Sequence, residues 1–267
     1  LMKRGYSTSF YFGGQLIYGN IKGYIIYNGF GKVMEVYDFP RDLPRGKLGI
    51  HDGYTLDYMA DDLDGMQSPF FSILFTLSTH SPWDQPFEKP LDWGDNEHEW
   101  INAAYYTDHT LGEFFRKASA KPWYDSTLFI LVADHSHNSY YNRLPYSREY
   151  HKIPMLFYGN VIRKEFRGTR WEKTGNQHDI AATLLAQLEI PADKFRWSKN
   201  LFNPYAKGFA YFSNENGSAF MAPGEYISFD LNIPYCYSWE SASGHFDSLE
   251  MRNRAYLQEV FYEYLEQ

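Results

Sequence analysis

The residues of this sequence best suited to chemistry directly follow two apolar segments. Residues 127–138 read TLFILVADHSHN, so an apolar run ends in Asp134 and His135. Residues 69–77, PFFSILFTL, lead in the same way to His80. A carboxylate oxygen beside an imidazole nitrogen is a suitable donor set for Mn²⁺ or Zn²⁺, and less readily for Mg²⁺. The pattern therefore predicts two ligands of a divalent ion, whose further ligands must come from elsewhere.

Buried strands must position these residues. Segments with helical periodicity, such as 99–119 and 180–188, accompany runs that are apolar on both faces. Those apolar runs are residues 70–77, 128–133 and 154–158. The combination predicts an α/β fold with a mainly parallel sheet sandwiched by helices. Because ligands of such folds bind beyond the carboxyl ends of the strands, His80 is predicted to converge there with Asp134 and His135.

A purely structural role for the same residues is the alternative to a metal site. An aspartate after a strand often caps the following helix, and a histidine often fills a polar gap in a loop. Two strand ends that both carry a histidine favour a convergent site, because polar groups buried without partners are costly.

Composition bounds the class of protein. The chain has 267 residues, of which 44% are hydrophobic and 22% charged, as in globular proteins with a sizeable core. The net charge of −8 argues against nucleic acid as a partner. The single cysteine, Cys236, excludes an internal disulfide framework and a cysteine-rich zinc site. No apolar run is long enough to span a bilayer.

The sequence pattern changes near residue 206. Residues 1–205 are predicted to form the large α/β part, and residues 206–267 a small α+β subdomain packed on it. Short alternating segments, FAYFS and EYISFD, predict antiparallel strands in this subdomain. Residues 249–265 predict an amphipathic helix that follows these strands.

Five motifs in a fixed order carry a resemblance to a known family. They are PFFSILFTLSTHSPW, YYTDHTLGEFF, KPWYDSTLFILVADHSHN, KIPMLFYG and QHDIAATLLAQL. Together they resemble the sulfatase-like branch of the alkaline phosphatase superfamily, most closely the lipoteichoic acid synthase and phosphoglycerol transferase group. The resemblance implies an alkaline phosphatase-like fold. It also implies metal-dependent transfer or hydrolysis of a phosphate ester, of the phosphoglycerol type, on a lipid or glycan of the cell envelope.

The resemblance assigns roles to individual residues. Asp134 and His135 match the pair that holds one divalent ion, with manganese expected first and magnesium, calcium or zinc as alternatives. His80 matches the histidine that contacts the transferred group. Four residues are predicted to contact the substrate, each with packing of a loop as the alternative: Asp52, His137, Asn138 and His178.

Two departures from the family concern the first residues of the chain. The family's metal-binding glutamate and nucleophilic threonine precede the stretch GYSTSFYFGG, so both are expected upstream of Leu1, and this chain is expected to be the C-terminal part of the enzyme. The family also carries a histidine, an aspartate, a tryptophan and an arginine around glycerol phosphate. In the matching residues 12–21, only Asn20 agrees with that family segment.

The resemblance also implies where and on what the enzyme acts. It implies an anionic lipid or glycan substrate, a location outside the cytoplasm, and a membrane anchor upstream of this chain. Two alternatives stay open: a sulfatase of the same fold, and a non-catalytic binding module that keeps Asp134 and His135. Comparing product release from phosphodiesters and from sulfate esters distinguishes a sulfatase from the phosphate-ester enzyme. The upstream sequence distinguishes a binding module from an enzyme.

Overall fold

The computed structural model describes residues 1–137 and 143–266, which belong to two compact units. The first unit consists of residues 1–128 and 159–161, and the second of residues 129–158 and 162–267. The predicted boundary between residues 205 and 206 lies inside the second unit and stays a prediction.

A three-stranded parallel sheet forms the centre of the first unit. Its strands are β1 (Ser7–Phe12), β2 (Lys32–Met34) and β3 (Phe70–Phe75), in the order β2-β1-β3. Strand β1 pairs in parallel with both neighbours, and residues 8–12 of this strand are all buried. The predicted parallel sheet is therefore confirmed, although the three-residue strand β2 is too short to have been found from its sequence pattern.

Both faces of this sheet are covered. Alternate side chains of β1 point to opposite faces, so Tyr11 packs with Phe39 and Ile50, while Phe10 and Phe12 pack in a second cluster. The unit also contains three helices: α1 (Ile21–Tyr27), α2 (Asp52–Asp62) and α3 (His98–Ala118). Helix α2 packs on α3 and also contacts β1. This packing holds the N-terminal end of α2 beside the residues that follow β3.

The second unit contains a short antiparallel pair and a helix. Strand β4 (Phe129–Val132) pairs with β5 (Met155–Tyr158), with Phe129 opposite Tyr158, and α4 spans Asp179–Gln187. Both strands lie where the apolar runs predict them. Their antiparallel direction differs from the parallel arrangement, because an apolar run contains no information on strand direction.

A sheet followed by a helix completes the second unit. The strands β6 (Ala210–Ser213), β7 (Gly217–Ala222), β8 (Glu225–Asp230) and β9 (Cys236–Ser241) pair in chain order and antiparallel. Helix α5 (Phe246–Leu265) packs on this sheet through the fully buried Leu249. The predicted antiparallel sheet with its helix is present. Within the described residues, no helix is long and apolar enough to cross a membrane.

Candidate active site

The Asp134–His135 pair lies just after β4 and is open to solvent. The side chains of Asp134 and His135 are 59% and 79% exposed. The Oδ1 atom of Asp134 accepts a hydrogen bond of 2.9 Å from the His135 backbone N–H. This bond holds the carboxylate beside the imidazole, and His135 Nε2 lies 3.7 Å from Asp134 Oδ2. The strand end thus presents two metal-binding atoms side by side.

A backbone carbonyl selects the tautomer of His135. The Nδ1 atom lies 2.8 Å from the Ser136 carbonyl oxygen, which can only accept a hydrogen bond. Nδ1 therefore carries the hydrogen, and the neutral ring keeps its lone pair on Nε2. A lone pair and a carboxylate oxygen then lie together with no hydrogen between them. This arrangement suits a cation, and a carbonyl behind the second ring nitrogen is the usual support of a metal-binding histidine.

The side chain of Gln177 fixes the backbone that carries the pair. Its Nε2 donates hydrogen bonds of 2.6 Å to the Ala133 carbonyl and 2.8 Å to the Asp134 carbonyl. One neutral amide thus fixes the backbone at the end of β4 and leaves the negative charge of the Asp134 carboxylate unpaired by this contact. Gln177 was not predicted as a functional residue. The only signal in the sequence was its place before His178 in the motif QHD.

The pair has donor atoms for only part of the coordination sphere of a metal ion. Among residues 1–137 and 143–266, no group of three or more histidine, cysteine, aspartate or glutamate side chains is arranged to hold a metal ion. The geometry of Asp134 and His135 fits two adjacent ligands of a divalent ion, since both donor atoms are exposed and lie on the same side.

In the first unit, His80 lies on a turn directly after β3. Its backbone N–H donates to the Leu77 carbonyl at 2.9 Å, which closes the turn. Its Nδ1 lies 2.7 Å from the Ser81 carbonyl oxygen, so Nδ1 carries the hydrogen here as well. The exposed Nε2 is therefore the atom available to a ligand, and it donates a hydrogen bond only when the ring is protonated.

The buried Asp52 holds this turn in place. Its side chain belongs to the first residue of α2 and is 1% exposed. The carboxylate accepts hydrogen bonds of 2.7 Å from the Leu77 N–H and 2.9 Å from the Ser78 N–H. In return, the Asp52 N–H donates to Ser78 Oγ at 3.0 Å. We interpret Asp52 as a positioning residue for His80, and its predicted contact with the substrate stays a prediction.

Burial raises the pKa of Asp52, although the two N–H donors partly oppose this effect. Its neighbour His51 is also buried, and desolvation lowers the pKa of its imidazole against the attraction of Asp84 and Asp52. His51, Ser78, His80 and Asp84 line one small surface depression. The candidate residues of the first unit thus form one continuous cluster at the end of β3.

His178 is placed directly before α4. Its side chain is half-exposed, and burial lowers the pKa of its imidazole. The adjacent Asp179 is fully buried and accepts hydrogen bonds from the backbone N–H groups of Asn176, at 2.7 Å, and Lys199, at 2.9 Å. The Lys199 ammonium adds a contact of 2.5 Å. This ion pair fixes the loop before α4, which also carries Gln177.

The structure gathers the predicted residues into two sets, one in each unit. His80 and Asp52 belong to the first unit, at the end of β3. In the second unit, Asp134 and His135 are linked to the segment of His178 through Gln177. His137 follows Asp134 and His135 in sequence and is partly exposed, while Asn138 lies outside the described residues. Contact of these residues with a substrate stays a prediction.

This chain is similar in sequence to known proteins. The family model described as Sulfatase matches residues 1–190. The lipoteichoic acid synthase of Staphylococcus saprophyticus is 29% identical over 140 residues, which cover 50% of this chain and 22% of that protein. The chain therefore spans about a fifth of the length of this relative.

Solved structures agree on the fold. A protein of the alkaline phosphatase superfamily from Vibrio parahaemolyticus is 25% identical, with a TM-score of 0.76 over 93% of this chain and 60% of that one. The lipoteichoic acid synthase LtaP from Listeria monocytogenes is 16% identical, with a TM-score of 0.73 over 89% of this chain and 65% of that one. These similarities support the predicted alkaline phosphatase-like fold.

Proposed function

Because this chain belongs to the sulfatase family, we propose that it takes part in metal-dependent transfer or hydrolysis of a phosphate ester. The substrate is a phosphoglycerol-type ester on a lipid or glycan of the cell envelope. The likeness to a lipoteichoic acid synthase supports this choice of substrate. The observation that carries the proposal is the side-by-side placement of Asp134 Oδ2 and His135 Nε2, 3.7 Å apart at the end of β4.

Asp134 and His135 would hold one divalent ion, and we propose manganese. When bound, such an ion neutralises charge on the phosphoryl oxygens and lowers the pKa of a coordinated hydroxyl nucleophile. The protein's own contribution is positional. The Ser136 carbonyl keeps the lone pair of His135 on Nε2, and Gln177 fixes the backbone at Asp134. Both ligands are therefore oriented before the ion arrives.

His80 is proposed to contact the transferred group. Its Nδ1 is bound to the Ser81 carbonyl, so a protonated ring directs the N–H at Nε2 toward solvent. A cationic donor of this kind stabilises negative charge that develops on phosphoryl oxygens in the transition state. Asp52 supports this role by fixing Leu77 and Ser78, the first two residues of the turn that ends at His80.

The finer features of the function belong to the same proposal. The nucleophile is a threonine that is not among the site residues named above. The enzyme acts outside the cytoplasm as a membrane-anchored protein. His137, Asn138 and His178 contact the substrate. The division at residues 205/206 separates the catalytic part from the small subdomain.

A paired ester assay tests this proposal. The full-length gene product is incubated with Mn²⁺ and either a p-nitrophenyl phosphodiester or p-nitrophenyl sulfate. We expect cleavage of the phosphodiester, loss of this activity with a chelator, and the same loss in Asp134→Ala. The matched control is Glu99→Ala, which disrupts another adjacent acid–histidine pair whose carboxylate is bound by Lys89. Cleavage of only the sulfate ester contradicts the proposal and favours a sulfatase.

A further inference from the structure

An apolar surface in the first unit contains none of the residues assigned to the proposed site. It is formed by Ile17, Tyr18, Tyr24, Ile26 and Tyr27, which are between 63% and 90% exposed. We name these five residues the α1 surface. Exposed apolar side chains that lie this close together commonly mark a contact with another molecule or with a membrane.

Helix α1 turns this surface outward. Successive residues of a helix are rotated by about 100°, so Ile21 and Ile25 lie on the same side. Ile25 is buried in the cluster of Phe10 and Phe12, with Ile21 packed against it. The opposite, wide arc of the helix therefore carries Tyr24, Ile26 and Tyr27. Only the narrow stripe of Ile21 and Ile25 packs on the core, and the other apolar side chains of the helix are exposed to solvent.

The same part of the sequence is basic, in contrast to the whole chain. Residues 1–34 contain four lysines or arginines and no aspartate or glutamate. The chain carries a net charge of −8, so residues 35–267 carry −8 − 4 = −12. Lys22 and Lys32 are paired with Glu35 and Asp62. Among the described residues, no carboxylate pairs with Lys3 or Arg4.

These two free cations belong to a turn that lies against the end of α1. A short helical turn spans Met2–Arg4, and Lys3 and Arg4 are exposed. The terminal methyl group of Met2 lies beside Gly29. A Cβ atom added to this glycine would be 3.3 Å from that methyl carbon. Gly29 lies two residues beyond the last residue of α1, so the basic turn and the α1 surface lie side by side.

We infer that the α1 surface, together with Lys3 and Arg4, docks on an anionic lipid bilayer. Tyrosine suits the boundary of a membrane, because its ring is apolar and its hydroxyl group stays in contact with water. Lysine and arginine beside such residues are attracted to acidic headgroups. Positions 1–34 contain no acidic residue that would repel such headgroups.

The inference rests on the proposed function, since an enzyme that acts on an envelope lipid has to approach the bilayer that contains it. It goes beyond that function by identifying the face that approaches. Docking through α1 requires no membrane-spanning helix, and its strength depends on both apolar contact and charge.

Cosedimentation with vesicles tests this inference. The 267-residue chain is mixed with vesicles of phosphatidylcholine alone, or of equal parts phosphatidylcholine and phosphatidylglycerol. We expect binding to the anionic vesicles only, and weaker binding as NaCl is added. The double variant Ile26→Ser/Tyr27→Ser and the charge reversal Lys3→Glu/Arg4→Glu should each lower the partition coefficient about tenfold or more.

The matched control is Tyr205→Ser, which removes an aromatic side chain that is 93% exposed in the second unit. It should leave vesicle binding unchanged, and circular dichroism should show that all variants are folded. Equal binding to both vesicle types, no binding, or binding unaffected by the variants overturns the inference. Self-association without vesicles that Ile26→Ser/Tyr27→Ser abolishes also overturns it, because a second copy then covers the surface.

A Mn²⁺ titration on the same samples separates this inference from the proposed function. Vesicle binding fails while Mn²⁺ still binds at Asp134 if only the docking inference is wrong. Vesicle binding persists without any binding of Mn²⁺ if only the proposed function is wrong.

Discussion

The ends of β3 and β4 both present a histidine, but they are fixed in different ways. At the end of β3, the buried carboxylate of Asp52 binds two backbone N–H groups and holds the turn that leads to His80. At the end of β4, the neutral amide of Gln177 binds two backbone carbonyls and leaves the Asp134 carboxylate in solvent. The carboxylate that holds the turn of His80 is thus buried, whereas the carboxylate proposed to bind a metal ion is accessible to solvent.

The two buried aspartates sharpen this contrast. Asp52 and Asp179 each occupy the first residue of a helix, and each accepts hydrogen bonds from loop N–H groups. Asp179 also has the ammonium group of Lys199 as a partner at 2.5 Å. For Asp52, the structure gives two N–H donors and burial that raises its pKa. The fold therefore depends on the hydrogen bonds of Asp52, so substitutions there should act on stability.

The largest effect on folding is expected for Asp52→Ala. The N–H groups of Leu77 and Ser78 lose their acceptor, and each unsatisfied buried group costs about 1–3 kcal/mol. We therefore expect the free energy of unfolding in urea to fall by about 3 kcal/mol. The matched control is Asp57→Ala on the same helix, where the exposed aspartate pairs with Lys117. That change should stay within about 0.5 kcal/mol, and equal effects of the two substitutions would remove the contrast.

A smaller effect, on metal binding rather than folding, is expected for Gln177→Ala. Without the amide, the backbone at Ala133 and Asp134 is no longer held, and the affinity for Mn²⁺ should fall by about tenfold to a hundredfold. Unfolding in urea should change little because the amide is exposed. Gln187→Ala serves as the control, since this glutamine bonds only within α4. Unchanged Mn²⁺ affinity in Gln177→Ala would show that the amide does not position the pair.

The smallest effect is a loss of stability as the pH falls. Burial lowers the pKa of His51 and of His178 from the ordinary value of 6.5, so the unfolded chain binds protons more readily than the folded one. Their contribution to stability is complete above 6.5 and is lost as the pH falls toward and through the lowered values. Urea unfolding between pH 7.5 and pH 5 measures this loss, and His178→Gln should make it shallower. An identical pH dependence in that variant would assign the loss to other groups.

The sequence predicts the elements of this site better than their connections. The position of β3 follows from an apolar run, because a strand that is covered on both faces carries apolar residues on both. The direction of β5 does not follow, since pairing depends on contacts between distant segments. Strand β2 has only three residues and is defined by its pairing with β1, so no local sequence pattern identifies it.

The candidate site shows the same division. Asp134, His135 and His80 could be found because polar residues directly follow apolar runs. The function of Gln177 could not be found, because a glutamine 43 residues from Asp134 gives no sign of which carbonyl it binds. The burial of Asp52 was also hidden, since its partners at Leu77 and Ser78 are backbone groups that every residue type provides.

Mn²⁺ binding by this chain and by Asp134→Ala tests the proposed metal site most directly. Free Mn²⁺ is measured by electron paramagnetic resonance at high protein concentration, because two protein ligands alone give weak binding. We expect the chain to lower the free Mn²⁺ signal and Glu99→Ala to do the same, whereas Asp134→Ala should leave the signal unchanged. Equal Mn²⁺ binding by Asp134→Ala and the unaltered chain would contradict the assignment of the metal site to the end of β4.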